Sequence, residues 1–308
     1  MNKKYILGFV LAIIFISLLI LAIKSNNKTF VIFSHKLQVV ASFYPLYFFT
    51  SQIGGERADV LNIIPAGAEP HDYEPTAQDI AKIESSDLLV INGGGVEAWA
   101  NNIKENIDLK KTTIVIAGEN LMTQQIVEEG EKIIDPHVWL SPVLVLQMVD
   151  KISTEFIKKD SNNTSYYQSN AKILKEKLAS LDSDYKQGLS NCAEKNIITS
   201  HAAFGYLATT YNLNQIAITG VSPGSEPSPK QLAEVAKFAK DNNLKYIFFE
   251  SLVSPKLSQT IATEIGAKTL VLNPIEGLTN DEIALGKDYF SEMRNNLANL
   301  KIALQCAQ

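Results

Sequence analysis

The sequence predicts an α/β protein: two Rossmann-like βα lobes with parallel sheets, joined by a long helical linker. Three observations carry this. Short apolar runs alternate with amphipathic stretches as far as residue 120, the pattern of βαβ units. The same alternation resumes after residue 195. Between 141 and 190 no comparable strand run occurs, and apolar residues recur at helical spacing. The length, 308 residues, suits two domains of roughly 150 residues each.

The first element is not part of either lobe. Residues 5–23 (YILGFVLAIIFISLLILAI) hold one serine and no charge. As a helix they would span roughly 28 Å, close to the ~30 Å hydrocarbon core of a bilayer. Lys3 and Lys4 precede the run, as in a secretory signal or an uncleaved signal-anchor. The run exceeds the usual h-region, and Leu21-Ala22-Ile23-Lys24 offers no small-x-small cleavage site, which favours an anchor. Lysines 24, 28 and 36 flank its far side, so charge does not set its orientation. Residues 1–28 are therefore read as anchor and linker, and the rest as an extracytoplasmic body. The whole chain carries a net charge of −5; without residues 1–24 and their three lysines the body carries −8.

The N-terminal lobe, 37–140, begins with a buried strand run at 38–44, followed by a helix from Pro45. A second strand covers 58–63. A helix over 76–85 starts with Thr76 and Asp79 in capping-box spacing. A strand at 87–91 runs into Asn92 and three glycines, and then into a helix from Glu97. The glycines lack both GxGxxG spacing and a Walker lysine, so they predict a tight turn and not a nucleotide loop. A fourth strand covers 112–117. The stretch 118–135 reads as the least structured. In the linker, 141–190, Ser141-Pro142 signals a helix start. That helix runs to Lys159, a break falls at 160–164, and a second helix covers 165–187. The C-terminal lobe, 191–308, has strands at 196–199, 215–219, 246–249 and 268–272, with a helix start at Ser228-Pro229. Trp99 and Trp139 read as core residues.

Composition removes several function classes. The acidic balance excludes a non-specific nucleic-acid binder. Two cysteines cannot build a Cys-rich zinc fold or an iron–sulfur cluster. With Arg57 and Arg294 the only arginines, anionic substrates gain little support.

The four histidines carry the functional signal. His35 reads as an exposed linker residue. The other three occupy equivalent places, each in a loop that follows a strand or precedes a helix: His71 in GAEPHDYEP, His137 in DPHVWLSP, His201 in TSHAAFGY. In open α/β sheets that edge gathers ligands. His71 and His137 each follow a proline, which restricts the chain there. Intervals of 66 and 64 residues place the three in different βα units. Isolated histidines are more often plain hydrogen-bonded residues, but three in equivalent loops suggest converging imidazoles, which suit divalent first-row metals. A fourth ligand could come from Glu226, Glu250 or Glu276; of these Glu276 follows the last strand, in a position like that of the histidines.

These segments resemble a known family. VVASFYPLYFF, AGAEPHDYEPTAQDI, DPHVWLSP, ITSHAAFGYLA, GVSPGSEPSPKQL, FFESLVSPK and VLNPIEGL are similar, in order, to segments of the substrate-binding proteins of bacterial metal ABC importers. The likeness is to the TroA-like group, which implies a rigid linker helix, and within it to the zinc-uptake type, and it spans about Val39 to Leu304. It implies that His71, His137 and His201 are the imidazole ligands. Keeping His201, where manganese or iron binders of the group tend to carry a carboxylate, points to zinc. Many relatives place an aspartate where this chain has Asn273; the LNPIEGL pattern favours Glu276 as the fourth ligand. The His-rich loop that many zinc-type relatives insert before the second ligand is absent, since 118–135 holds four glutamates and no histidine.

The resemblance implies a carrier and not an enzyme. Zn²⁺ would be its cargo, a membrane permease its partner, and a monomer its state. Four ligands around a tetrahedral ion leave no position for an activated water. A zinc hydrolase is the competing reading; it needs an open position and a general base, and no HExxH pairing is present. Relatives often pair cysteines as Cys192 and Cys306 would pair here. Outside the membrane such a pair is usually oxidised.

Overall fold

The computed structural model describes residues 36–128 and 130–307, together with Ser17. The expected anchor, except Ser17, and His35 lie outside the described residues. Among the described residues no helix is long and apolar enough to cross a membrane.

Four strands, β1 (Leu37–Ala41), β2 (Ala58–Asn62), β3 (Leu88–Ile91) and β4 (Thr113–Ile116), form a parallel sheet in the order β2-β1-β3-β4. Val39 of β1 lies opposite Val60 on one side and Leu88 on the other. All four residues of β3 are buried, as expected where both faces of a parallel sheet are covered. Strand order reverses between β1 and β3, which opens a crevice at the carboxyl ends of the strands.

The first helix, α1 (Tyr44–Gly54), has Pro45 within its first turn, where a missing N–H costs nothing. The second, α2 (Ala77–Ser85), has the complete Thr76–Asp79 capping box. The third, α3 (Ala100–Asn106), starts later than the sequence suggests. The buried Glu97 carboxylate accepts from the N–H groups of Asn92 (2.8 Å) and Gly93 (2.9 Å) and from the Ser42 hydroxyl (2.6 Å). It closes a turn in which Gly93, Gly94 and Gly95 all have positive φ, so Glu97 is held outside the helix.

The stretch 118–135 is a correction. It contains an antiparallel hairpin, β5 (Gln125–Glu128) and β6 (Glu131–Ile134). Its β-branched residues, Ile126, Val127, Ile133 and Ile134, favour a strand. Its glutamates give it the composition of a loop.

The linker is a pair of helices and not a single rod. The first, α4 (Pro142–Lys159), is followed by a 3₁₀ turn at Ser161–Asn163 and by α5 (Thr164–Gly188). The two helices pack along each other, with the Phe156 and Tyr167 rings 5.2 Å apart. Ser141 precedes α4 as expected but makes no cap bond; its hydroxyl lies 3.1 Å from that of Thr210 instead.

Four further parallel strands follow. The first two, β7 (Asn196–Thr199) and β8 (Asn214–Ala217), pair with each other, as do β9 (Tyr246–Phe249) and β10 (Lys268–Val271), and β7 lies beside β9. Helices α6 (Gly205–Thr210), α7 (Pro229–Asp241), α8 (Lys256–Ile265), α9 (Asn280–Ala284) and α10 (Tyr289–Ala303) complete the chain. The Ser228 hydroxyl caps α7 by accepting from the Gln231 N–H. The main core runs from the first sheet through the helix pair to α10 and includes Trp99 and Trp139. A smaller separate core, with Ile198, Ile218, Val235, Ala239, Ile247 and Ile261, lies among β7, β9, α7 and α8. The sulfurs of Cys192 and Cys306 are at bonding distance, joining the end of α10 to the segment before β7.

Candidate metal centre

Four loops bring one side chain each to a common point. His71 comes from the loop between β2 and α2, and His137 from the loop after β6. His201 follows β7 by two residues, and Glu276 lies in the loop after β10. One donor atom from each of the four lies within 4.8 Å of the others. The Nε2 atoms of His71, His137 and His201 are each 3.4 Å from Glu276 Oε1. The Nε2 atoms of His137 and His201 are 3.3 Å apart. A tetrahedral shell with metal–nitrogen bonds of 2.0–2.1 Å has edges of about 3.3–3.4 Å. These four separations therefore already match the edges of such a shell.

Burial makes the arrangement informative. His137, His201 and Glu276 are buried, and the His71 side chain is only 7% exposed. His71 Nε2 and both Glu276 carboxylate oxygens are buried with no hydrogen-bond partner among the described residues. Orphaned buried polar atoms are costly unless a ligand satisfies them. Three imidazole nitrogens and one carboxylate oxygen form a donor set suited to zinc.

Two of the imidazoles are oriented by carboxylates. His137 Nδ1–H donates to Asp135 Oδ1 (2.8 Å), which also accepts the His137 backbone N–H (3.0 Å). His201 Nδ1–H donates to Glu250 Oε1 (2.7 Å), which also accepts the His201 backbone N–H (3.1 Å). A proton held at Nδ1 leaves the Nε2 lone pair for a metal. The Trp139 ring packs 5.0 Å from that of His137, and its indole N–H donates to Pro274 O (2.8 Å), two residues before Glu276.

The charges support one another. Burial opposes a charge on His201, yet Glu250 and Glu276 together raise its pKa well above the usual imidazole range. Burial likewise opposes a charge on His137, but Asp135 and Glu276 raise its pKa. Burial favours the neutral form of Glu276, but His201, His137 and His71 hold its pKa well below the usual carboxylate range. In the metal-free site the neighbouring carboxylates favour protons on His137 and His201. A divalent cation would displace them.

The remaining sequence candidates fall into place around this cluster. Asn273 stands outside the donor group. Its Oδ1 accepts from the Ile275 N–H (2.8 Å), and its backbone exchanges hydrogen bonds with the Asn296 side chain. That turn holds Ile275 at φ 59°, an uncommon conformation for a β-branched residue, directly before Glu276. Glu250 reaches His201 without joining the donor group, and Glu226 is exposed on its loop. Sequence reasoning overlooked the orienting role of Asp135. The available signal was local: an acid two residues before the histidine, across a proline.

A family model described as "Zinc-uptake complex component A periplasmic" matches residues 39–303. The chain is 41% identical over 280 residues to the "High-affinity zinc uptake system protein ZnuA" of Bacillus subtilis, covering 87% of this chain and 88% of the relative. It is 39% identical over 292 residues to the "Zinc-binding protein AdcA" of Streptococcus pyogenes, covering 88% of this chain but only 57% of that longer relative. Among solved structures, the Zn(II)-bound ZnuA-like domain of Streptococcus pneumoniae AdcA superposes with a TM-score of 0.77 at 41% identity, covering 87% of this chain and 99% of that one. The α/β fold with parallel sheets is thus that of the ZnuA-like and TroA-like proteins.

Proposed function

The chain belongs to the family of periplasmic zinc-uptake component A proteins, and from that premise we propose that it captures Zn²⁺ outside the cytoplasm and delivers it to the permease of an ABC importer. The ligands are His71, His137, His201 and Glu276. One observation carries the reading: three imidazole nitrogens stand 3.4 Å from one buried carboxylate oxygen that has no hydrogen-bond partner of its own.

The chemistry fits a carrier. Asp135 and Glu250 hold the Nδ1 protons of His137 and His201 and keep both Nε2 lone pairs aimed at the ion. Glu276 supplies the negative charge that a divalent cation needs in a buried site. Four protein donors close the tetrahedron, so no position remains for an activated water, and the chain is not an enzyme. Three nitrogen donors favour zinc over manganese or iron, which suit oxygen-richer shells.

Two lobes, 37–140 and 191–308, hold the ion between them, and the helical linker at 141–190 resists a wide hinge. Release therefore proceeds by small loop movements. Residues 1–28 anchor the protein outside the membrane, where Cys192 and Cys306 form a disulfide and the body acts as a monomer. Metal analysis of the purified full-length protein tests this. One zinc per chain is expected, retained against equimolar manganese. A protein that emerges without zinc and binds none on titration would refute the carrier reading.

A further inference from the structure

The β5–β6 hairpin leads into the His137 loop and reaches the opposite half of the molecule at two points. At its base the Gln124 carbonyl accepts from the Asp135 N–H (3.0 Å). There the Gln124 backbone N–H donates to the Tyr206 hydroxyl (3.1 Å), and its side-chain amide donates to Thr209 Oγ1 (3.0 Å). At the tip the Glu128 carboxylate accepts from the Val221 backbone N–H (3.3 Å) and from the Ser225 hydroxyl (3.1 Å).

Both attachments lie close to a proposed zinc ligand. Asp135 orients His137. Val221 follows Gly220, whose carbonyl accepts from the N–H of Ala202 (2.9 Å), the neighbour of His201. The hairpin thus bridges the backbone on the His137 side to the backbone on the His201 side.

The two attachments differ in strength. The base joins the buried Tyr206 and Asp135. The tip borders an open-sided cavity of ≈ 1010 Å³ lined by Ile126, Gln215, Thr219 and Ser228 among others, and Val127 beside it is 71% exposed. With little apolar packing, the tip is held by Glu128. Segments with few buried contacts open at low cost. Gly220 is part of the same fit, because a Cβ there would overlap the Glu128 carboxylate.

We infer that the β5–β6 hairpin is a strap across the cleft, that Glu128 is its clasp on Val221 and Ser225, and that opening this clasp sets the rate of zinc release. The inference rests on the zinc-carrier reading. His137, His201 and Glu276 are buried, so zinc leaves only when part of the wall moves. The clasp is the weaker of the hairpin's two attachments to the other side. Glu128 acts through the backbone of the 220–225 loop and is a positioning residue.

The test uses full-length, zinc-loaded protein mixed rapidly with excess chelator. Glu128→Ala and Gly220→Ala should each speed release by about three- to tenfold, the net scale of one ordinary hydrogen bond on an exposed segment. Because both break the same contact, the double variant should be no faster than the faster single. Glu128→Gln keeps one acceptor oxygen and should fall between Glu128→Ala and the wild type. Zinc stoichiometry and the thermal midpoint of the metal-free protein should not move. Release rates equal to wild type, or effects that multiply in the double variant, would overturn the strap. A wild-type chain that holds no zinc would overturn the carrier reading itself, a separate and distinguishable failure.

Discussion

Two loops of this molecule share a short pattern and put it to different use. Glu69-Pro70-His71 and Asp135-Pro136-His137 each place an acid two residues before a histidine, with a proline between. In both, the acid accepts the backbone N–H of its histidine, at 3.2 and 3.0 Å. Only Asp135 also holds the ring, through Nδ1. His137 is fully buried, whereas His71 keeps some exposure. Burial and the nearby Glu276 charge push the Glu69 pKa up to about 8, so at neutral pH it is a protonated acid. The same local sequence thus builds one ring held by a carboxylate and one without that restraint. His201 belongs with the first kind, held by Glu250 from 49 residues away. A metal would meet a prepared wall of His137, His201 and Glu276, and His71 would complete the shell.

The largest expected effect tests that division. Structural zinc sites bind with about 10–16 kcal/mol, so losing one of four ligands should cost roughly a quarter of that, about 10²–10³-fold in affinity. Competition titration should show a loss near the top of that range for His137→Ala and His201→Ala, and a loss nearer to ~10²-fold for His71→Ala. Equal losses at all three positions would erase the distinction between rings held by a carboxylate and the ring that is not.

The orienting carboxylates give the next largest effect. Asp135→Asn should weaken zinc by about 10–100-fold, the usual range when a group that orients a ligand is lost. Glu69→Gln mimics an acid that is already neutral at pH 7 and should change affinity by less than about threefold. A Glu69→Gln loss as large as that of Asp135→Asn would place the two loops in one class.

Protons compete with the metal throughout. His137 and His201 both have pKa values raised above the ordinary imidazole range by the carboxylates around them, so zinc competes with protons at a higher pH than it would at free imidazoles. Affinity should fall as pH drops, by up to about tenfold per pH unit for each proton released, with the fall starting at a higher pH than the ordinary imidazole range. Calorimetry in two buffers of different protonation enthalpy should give different apparent heats. Identical heats would mean that no proton leaves.

The smallest effect concerns the anchoring of the His71 loop. Asp79 accepts from the hydroxyls of Tyr73 (2.8 Å) and Thr76 (2.6 Å) and from the Thr76 N–H (3.0 Å). Burial raises its pKa, but these bonds outweigh burial and lower it to about 2. A lowered carboxylate stabilises the fold above its unfolded pKa, and that contribution fades as pH falls towards 2. Asp79→Asn should therefore cost about 1 kcal/mol at pH 7, with the gap closing between pH 4 and pH 2, as read from urea midpoints of the metal-free protein.

Much of this was legible in the sequence because its signals are local. Strand runs such as 87–91 and 112–117, the Thr76–Asp79 box and the Ser228-Pro229 start are written within a few residues. The three strand-end histidines were legible too, since a βα repeat brings loop ends to one edge whatever their separation. What escaped depends on distant partners. Glu97 looks like a helix residue until it closes a buried turn with Ser42, 55 residues away. The hairpin at 125–134 has strand formers diluted by glutamates, and what holds its tip is a contact with residues 221 and 225. Glu250 stands out in the sequence as one of three candidate glutamates, but that it holds the His201 ring follows only once β7 and β9 are known to be neighbours.

The small separate core among β7, β9, α7 and α8 has a consequence for how long the protein survives. A cluster of that size can open on its own, well below the free energy of global unfolding, and expose the segment around His201 to proteases. An ion shared between His201 and the first half would tie that region shut, because a ligand lowers the population of every open state that cannot bind it. Empty carriers would then be trimmed sooner than loaded ones. The turnover of the protein would become a readout of the metal around it, with slow amide exchange at Ile198 and Ile247 marking the loaded state.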